Sequence, residues 1–223
     1  MDNPLAWRPQ AINTGNWLAG YSLNELLGRV GTDRIVLPIC SLGTPADELA
    51  ELAPLVLPPL YHEALDDELR AALVARIAEC FPFYHETSRG GVHPVELVEL
   101  PAQDHPACGP TGGVVAFSVD TAVEEHGPHL PLATDTLQSY AVLERLAGEH
   151  PAMVLAPPVD YGQLTWGLPF GMSIDITAPL LTRYVTGYAN AIADWLEPMA
   201  AYVVDVHGSI VHRAAIQDGL AAS

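Results

Sequence analysis

The sequence predicts an α/β protein with a parallel or mixed sheet flanked by helices. Short apolar runs alternate with helical stretches, most clearly as strand–helix–strand–helix–strand in the second half. A length of 223 residues gives ample material for a buried core. Hydrophobic residues make up 49% and charged ones 16%, a globular composition. Twenty prolines and eighteen glycines demand many turns and therefore short elements.

Residues 1–20 read as an irregular arm, and Ser22 with Glu25 three residues on suggests a capping box that starts a short helix. Arg34–Cys40 is a short apolar run expected as a buried strand. Asp47–Leu52 predicts one or two helical turns, and Leu55–Leu60 a second strand stopped by its prolines. Asp66–Cys80 is the best helix of this half: Leu69, Leu73, Ile77 and Cys80 fall on one stripe, and acids crowd its N-terminal end. A strand is expected at Val95–Leu100, followed by a linker rich in proline and glycine. In the second half Val114–Val119, Met153–Ala156 and Tyr202–Val206 read as strands. Thr136–Glu149 and Thr177–Leu196 read as helices, with Pro179 tolerated in the first turn of the latter. Two units are expected: an N-terminal α/β segment, 1–110, packing on a core at 111–223. The recurrence of strand, Pro-Pro and helix in both raises a degenerate repeat, against the simpler view that such units recur in α/β proteins.

The net charge of −18, with all nine basic residues arginine, argues against a nucleic-acid backbone or an anionic membrane surface as partner. No apolar run reaches transmembrane length, and the first residues lack the features of a secretory signal. Cys40, Cys80 and Cys108 are far apart and form no CxxC pair, which is read as reduced thiols in a cytoplasmic protein.

The chemistry concentrates in Glu124-Glu-His126-Gly-Pro-His129-Leu-Pro-Leu-Ala-Thr-Asp135, directly after a predicted strand. Ligands of open α/β sheets bind at that carboxyl edge. Imidazole and carboxylate together suit zinc or manganese. His207, at the end of another predicted strand, could supply a ligand at the same edge. Its bland reading is a packed strand-end histidine, and that of the 124–135 loop is a polar turn bonded to backbone. His62, His93, His105, His150 and His212 lack partner spacing and are read as surface or structural residues.

Residues 124–135 resemble the creatininase (creatinine amidohydrolase-like) family, whose members carry E-x-H-G-P-H-L-P-x-x-T-D after a strand; every fixed position matches. The resemblance continues through Pro157-Pro158, Tyr161-Gly162, the turn at 169–171 and the strand leading to His207-Gly208, covering roughly residues 113–215. It implies a layered creatininase-like core and two divalent ions, zinc and/or manganese. Glu124 would ligate one ion and His126 the other, Asp135 would bridge them, and His207 would complete the first. It further implies an amidohydrolase acting on a non-peptide or cyclic amide C–N bond with metal-bound hydroxide as nucleophile, a small-molecule amide substrate, and a homo-oligomer. His129 would hold the loop. Asp205 would orient His207 or point to the other face of its strand. By their own place in a glycine-rich loop, Tyr161 and Trp166 are read either as lining a substrate pocket or as packing residues.

The departures are specific. Where the family reads N-G-H-G-G-N, this chain has Asp205 and Val206 before the histidine and Ser209 and Ile210 after Gly208; the glutamate ligand of creatininases proper falls on Ser209. Trp166-Gly167 replaces a histidine of the Tyr-Gly loop, and no HAG-x-x-E-T-S segment follows His207. His85-Glu86-Thr87-Ser88 could fill that role from the N-terminal side, or be a chance tetrapeptide. These changes open a second expectation: a metal-binding but inactive subunit serving as structural or regulatory partner.

Overall fold

In the computed structural model, residues 35–52, 55–80, 95–102, 112–126, 130–170 and 173–223 are described. The expected Ser22 helix, His85–Ser88, Cys108 and His129 lie outside them.

The chain runs β1 (Ile35–Cys40), α1 (Ala46–Ala50), β2 (Leu55–Val56), β3 (Leu60–Tyr61), α2 (Asp67–Cys80) and β4 (Val95–Glu99). It continues with β5 (Val114–Ser118), α3 (Thr134–Glu149), β6 (Met153–Leu155), α4 (Ala178–Leu196), β7 (Ala200–Val204) and α5 (Ile210–Ala221). The strands make two sheets in which every pairing is parallel. In one, β1 is central, with β2 and β3 on it in succession and β4 also paired to it. In the other, β5 lies between β6 and β7. The α/β expectation is met.

Local chemistry sets these elements. β1 is buried along its whole length, as a continuous apolar run in a parallel sheet must be. Pro58-Pro59 split the expected single strand, because proline has no N–H for the ladder; pairing resumes with Leu60 opposite Ile39. On α2 the predicted stripe Leu69, Leu73, Ile77 and Cys80 is the buried face. α4 buries Leu181, Tyr184, Val185, Tyr188, Ile192 and Leu196 at helical spacing. Its Tyr188 ring meets Tyr61 of β3 at 5.9 Å and Phe117 of β5 at 5.0 Å, tying the two sheets into one hydrophobic cluster. α3 covers the other face of the second sheet through Tyr140 and Leu143, packed with Ala116 and Leu155. Ala141 is exposed on this helix, which also buries Thr136 and Ser139.

Two boundary shifts matter for the site. α3 begins at Thr134 rather than Thr136, so Asp135 sits in its first turn. β7 ends at Val204, so Asp205 and Val206 belong to the turn that delivers His207.

Candidate metal centre

Glu124, His126 and Asp135 each offer a ligand atom, all within 4.8 Å of one another. His207 joins them: its Nδ1 lies 2.9 Å from Glu124 Oε2 and 3.4 Å from Asp135 Oδ2. The other Asp135 oxygen, Oδ1, lies 3.1 Å from His126 Nε2. Asp135 thus stands between two imidazoles, one per oxygen. The helix start places it there, where the positive end of the α3 dipole favours a carboxylate.

Each imidazole is oriented from behind by a main-chain carbonyl. His126 Nδ1 meets the Glu124 carbonyl at 3.1 Å, and His207 Nε2 meets the Gln163 carbonyl at 3.1 Å. Carbonyls only accept, so these nitrogens carry the protons and donate. The nitrogens facing Asp135 are then the ones able to take a cation, the arrangement that fixes the tautomer of ligating histidines. Thr121 donates its hydroxyl to Glu124 in a short hydrogen bond. The mixed nitrogen and oxygen set fits a divalent ion such as zinc or manganese.

The electrostatics follow from this packing. The hydrogen bond to Asp135 raises the His126 pKa to about 8. Burial pulls His207 down, but its bonds to Asp135 and Glu124 outweigh that and lift it to about 10. Burial likewise pushes Asp135 up, and its bonds to His126 and His207 win, holding it well below the usual carboxylate range. Without a cation, the cluster is held together by protons.

Residues assigned no ligand role from the sequence support it. Asp120, fully buried at the tip of β5, accepts the backbone N–H of Val206 at 2.8 Å and of His207 at 3.2 Å, and the Ser139 hydroxyl at 2.6 Å. Burial raises its pKa to about 6. His212 is buried, bonded to the Val119 carbonyl and the Gln163 N–H, and meets His207 edge-on at 4.8 Å. Of the two readings for His212, the structural one holds. Gly162 fits against these groups: a Cβ there would lie 2.5 Å from His212 Cε1 and 2.6 Å from Thr121 Cγ2.

Two expected roles change. Tyr161 does not line a pocket; it is 1% exposed and its hydroxyl donates to the Pro58 carbonyl at 2.6 Å. Asp205 does not orient His207: its carboxylate accepts the Gly208 N–H at 2.9 Å and pairs with Arg213 at 3.4 Å. Trp166 is 59% exposed, stacks on His207 at 6.5 Å, and walls a cleft of about 230 Å³ with Glu124, Glu125, Gly167 and Ser173. Ser209 caps α5 by accepting the His212 N–H.

The geometry defines a class: an imidazole and carboxylate cluster at the tips of a parallel sheet, opening on a cleft. The family model for creatininase, described as creatinine amidohydrolase, matches residues 112–218, a little under half of the chain. A mycofactocin precursor peptide peptidase from Mycobacterium ulcerans (strain Agy99) is 35% identical over 98 residues, 40% of this chain and 38% of that protein. One from Mycolicibacterium smegmatis (strain ATCC 700084 / mc(2)155) is 31% identical over 99 residues, 42% and 39% of the two chains. The chain therefore spans about two fifths of the length of these curated relatives. No solved structure matches it. Among the described residues no helix is long and apolar enough to cross a membrane.

Proposed function

We propose that the chain is a metal-dependent amidohydrolase cleaving an amide C–N bond, with Glu124, His126, Asp135 and His207 holding two divalent cations about the Asp135 carboxylate. The observation that carries this reading is Asp135 itself, with one oxygen 3.1 Å from His126 and the other 3.4 Å from His207. Bound there, zinc or manganese supplies Lewis acidity, polarising a carbonyl and making a water nucleophilic near neutral pH. The protein's own part is positioning: the Glu124 and Gln163 carbonyls fix the imidazoles, and Trp166 shields His207 and offers a flat apolar wall to the substrate. The curated relatives' names favour a peptide as the amide; a cyclic or other non-peptide amide is the competing substrate class.

The test is metal content per chain, measured for the wild type and for Asp135→Ala, alongside turnover of peptide and cyclic amides with and without chelator. Two equivalents falling towards zero in the variant, with chelator-sensitive hydrolysis in the wild type, support the reading. Unchanged metal content in Asp135→Ala removes it.

A second reading rests on Ser209. At the position where the family resemblance implies a glutamate ligand, this hydroxyl caps a helix instead. With Ser209 there, the residues that would hold an ion beside His126 are one fewer, as befits an inactive subunit or a site completed by another chain. A loaded site with no turnover of any amide selects this reading.

A further inference from the structure

The loop behind His207 is fastened at both ends to the N-terminal half of the chain. Asp175 is fully buried. Its Oδ1 accepts the Leu164 N–H at 2.6 Å and the Thr165 hydroxyl at 3.3 Å. Its Oδ2 pairs with Arg76 Nη2 at 2.5 Å, while Arg76 Nε donates to the Asp175 carbonyl at 3.0 Å. The Asp175 N–H meets Cys80 Sγ at 3.4 Å. Arg76 and Cys80 both belong to α2, beside the first sheet. Leu164 and Thr165 stand between Gln163, whose carbonyl orients His207, and Trp166, which stacks on it. At the loop's other end, Tyr161 holds the Pro58 carbonyl.

We infer that Arg76 and Asp175 are positioning residues of the candidate metal centre, setting through the 163–166 loop the orientation of the His207 imidazole. The consequence for metal binding rests on the function proposed above; the consequence for the loop does not. A guanidinium is required because only its fork reaches a carboxylate and a carbonyl together; an ammonium is a single point of charge. The buried Asp175 carboxylate also needs that cation close by.

The experiment uses the full chain with Arg76→Met, Arg76→Lys and, as a control on the same helix, Arg70→Gln. Arg70 pairs with Glu99 at the surface, 2.8 Å away. Circular dichroism fixes a temperature at which all are folded, and two quantities are then read. Amide hydrogen exchange over residues 161–167 of the metal-free protein should rise about tenfold in Arg76→Met and less in Arg76→Lys, with β5 and α3 unchanged. Manganese affinity should fall by roughly 10–100-fold in Arg76→Met, the range typical of losing a group that orients a ligand, and stay at the wild-type value in Arg70→Gln. Unaltered exchange over 161–167 in folded Arg76→Met overturns the inference, whatever the metal result. If the wild type takes up no metal, the function proposed above falls, and the exchange measurement still decides the positioning role. Should Arg76→Met fail to fold, the same exchange measurement on Arg76→Lys decides: a rise supports the positioning role, and wild-type exchange overturns it.

Discussion

The two sheets share a plan and differ in what stands at their tips. In each, the first strand is paired in parallel to a later strand, pairing lapses at a Pro-Pro pair, and it then resumes: Leu60 opposite Ile39 in one, Val159 opposite Val119 in the other. Beyond that point the first sheet offers Cys40, Ser41 and Leu42, the second Asp120, Thr121 and Glu124. Burial pushes the Cys40 thiol up to about 12, leaving it an unreactive core residue. The acid nearby, Glu63, accepts the Leu42 backbone N–H at 3.2 Å and serves the main chain. In the second sheet the hidden acid, Asp120, serves the main chain, and Glu124 is left to face an imidazole. Strand topology supplies a place; the side chains at that place supply the chemistry.

Substituting the two acids tests that contrast most sharply. Glu124→Gln should weaken metal binding by more than the roughly 10–100-fold caused by losing an orienting group. Glu63→Gln should leave metal affinity alone and cost about 1 kcal/mol in denaturant unfolding, the scale of one hydrogen bond. Equal effects on metal affinity, read by calorimetric titration, would erase the distinction between the tips. Next in size is a core truncation: Leu73 is fully buried under the first sheet, and Leu73→Ala should lower stability by about 2–5 kcal/mol while metal per folded chain stays constant. Lost metal in the folded variant would mean the first sheet does more than support.

The remaining expected effect is on pH dependence. His126 and His207 have folded values of about 8 and about 10, above the ordinary 6.5, so their stabilisation is complete below pH 6.5 and is lost as pH rises through those values. Asp135 acts in the opposite sense, stabilising above its ordinary 3.8 and losing that contribution as pH falls below it. The metal-free Tm should therefore decline between pH 6.5 and 10, whereas metal affinity rises over the same window as protons leave the imidazoles. A flat metal-free Tm there would contradict the network.

Much of this is legible in the sequence because the signals are local. The α2 stripe lies on one face by helical geometry alone, and Glu124, His126 and Asp135 lie within twelve residues of sequence, the last of them in the first turn of a helix. The clustering of His207 with them follows from its strand end. What escapes is non-local or carried by main chain. Gln163 acts through its carbonyl, which every residue has, so its side chain gives no warning. Asp120 reads as any acid ending a strand until two backbone N–H groups arrive from residues 206 and 207. Tyr161 reads as a pocket residue because its glycine-rich loop suggests exposure, but the first half of the chain covers it. The helix Ile210–Ala221 has a weak pattern, with Ile210 and Val211 exposed, and the sequence alone predicts no element there.

Gly162 shows how little room this arrangement leaves. With His212 and Thr121 pressed against the space a side chain would fill, even a methyl group must displace a neighbour of the ligand set. Mutational drift can reshape the rim of the cleft at Trp166 or Ser173 and so retune what enters, but a change at codon 162 is felt at once where Thr121 meets Glu124 and where His212 meets His207.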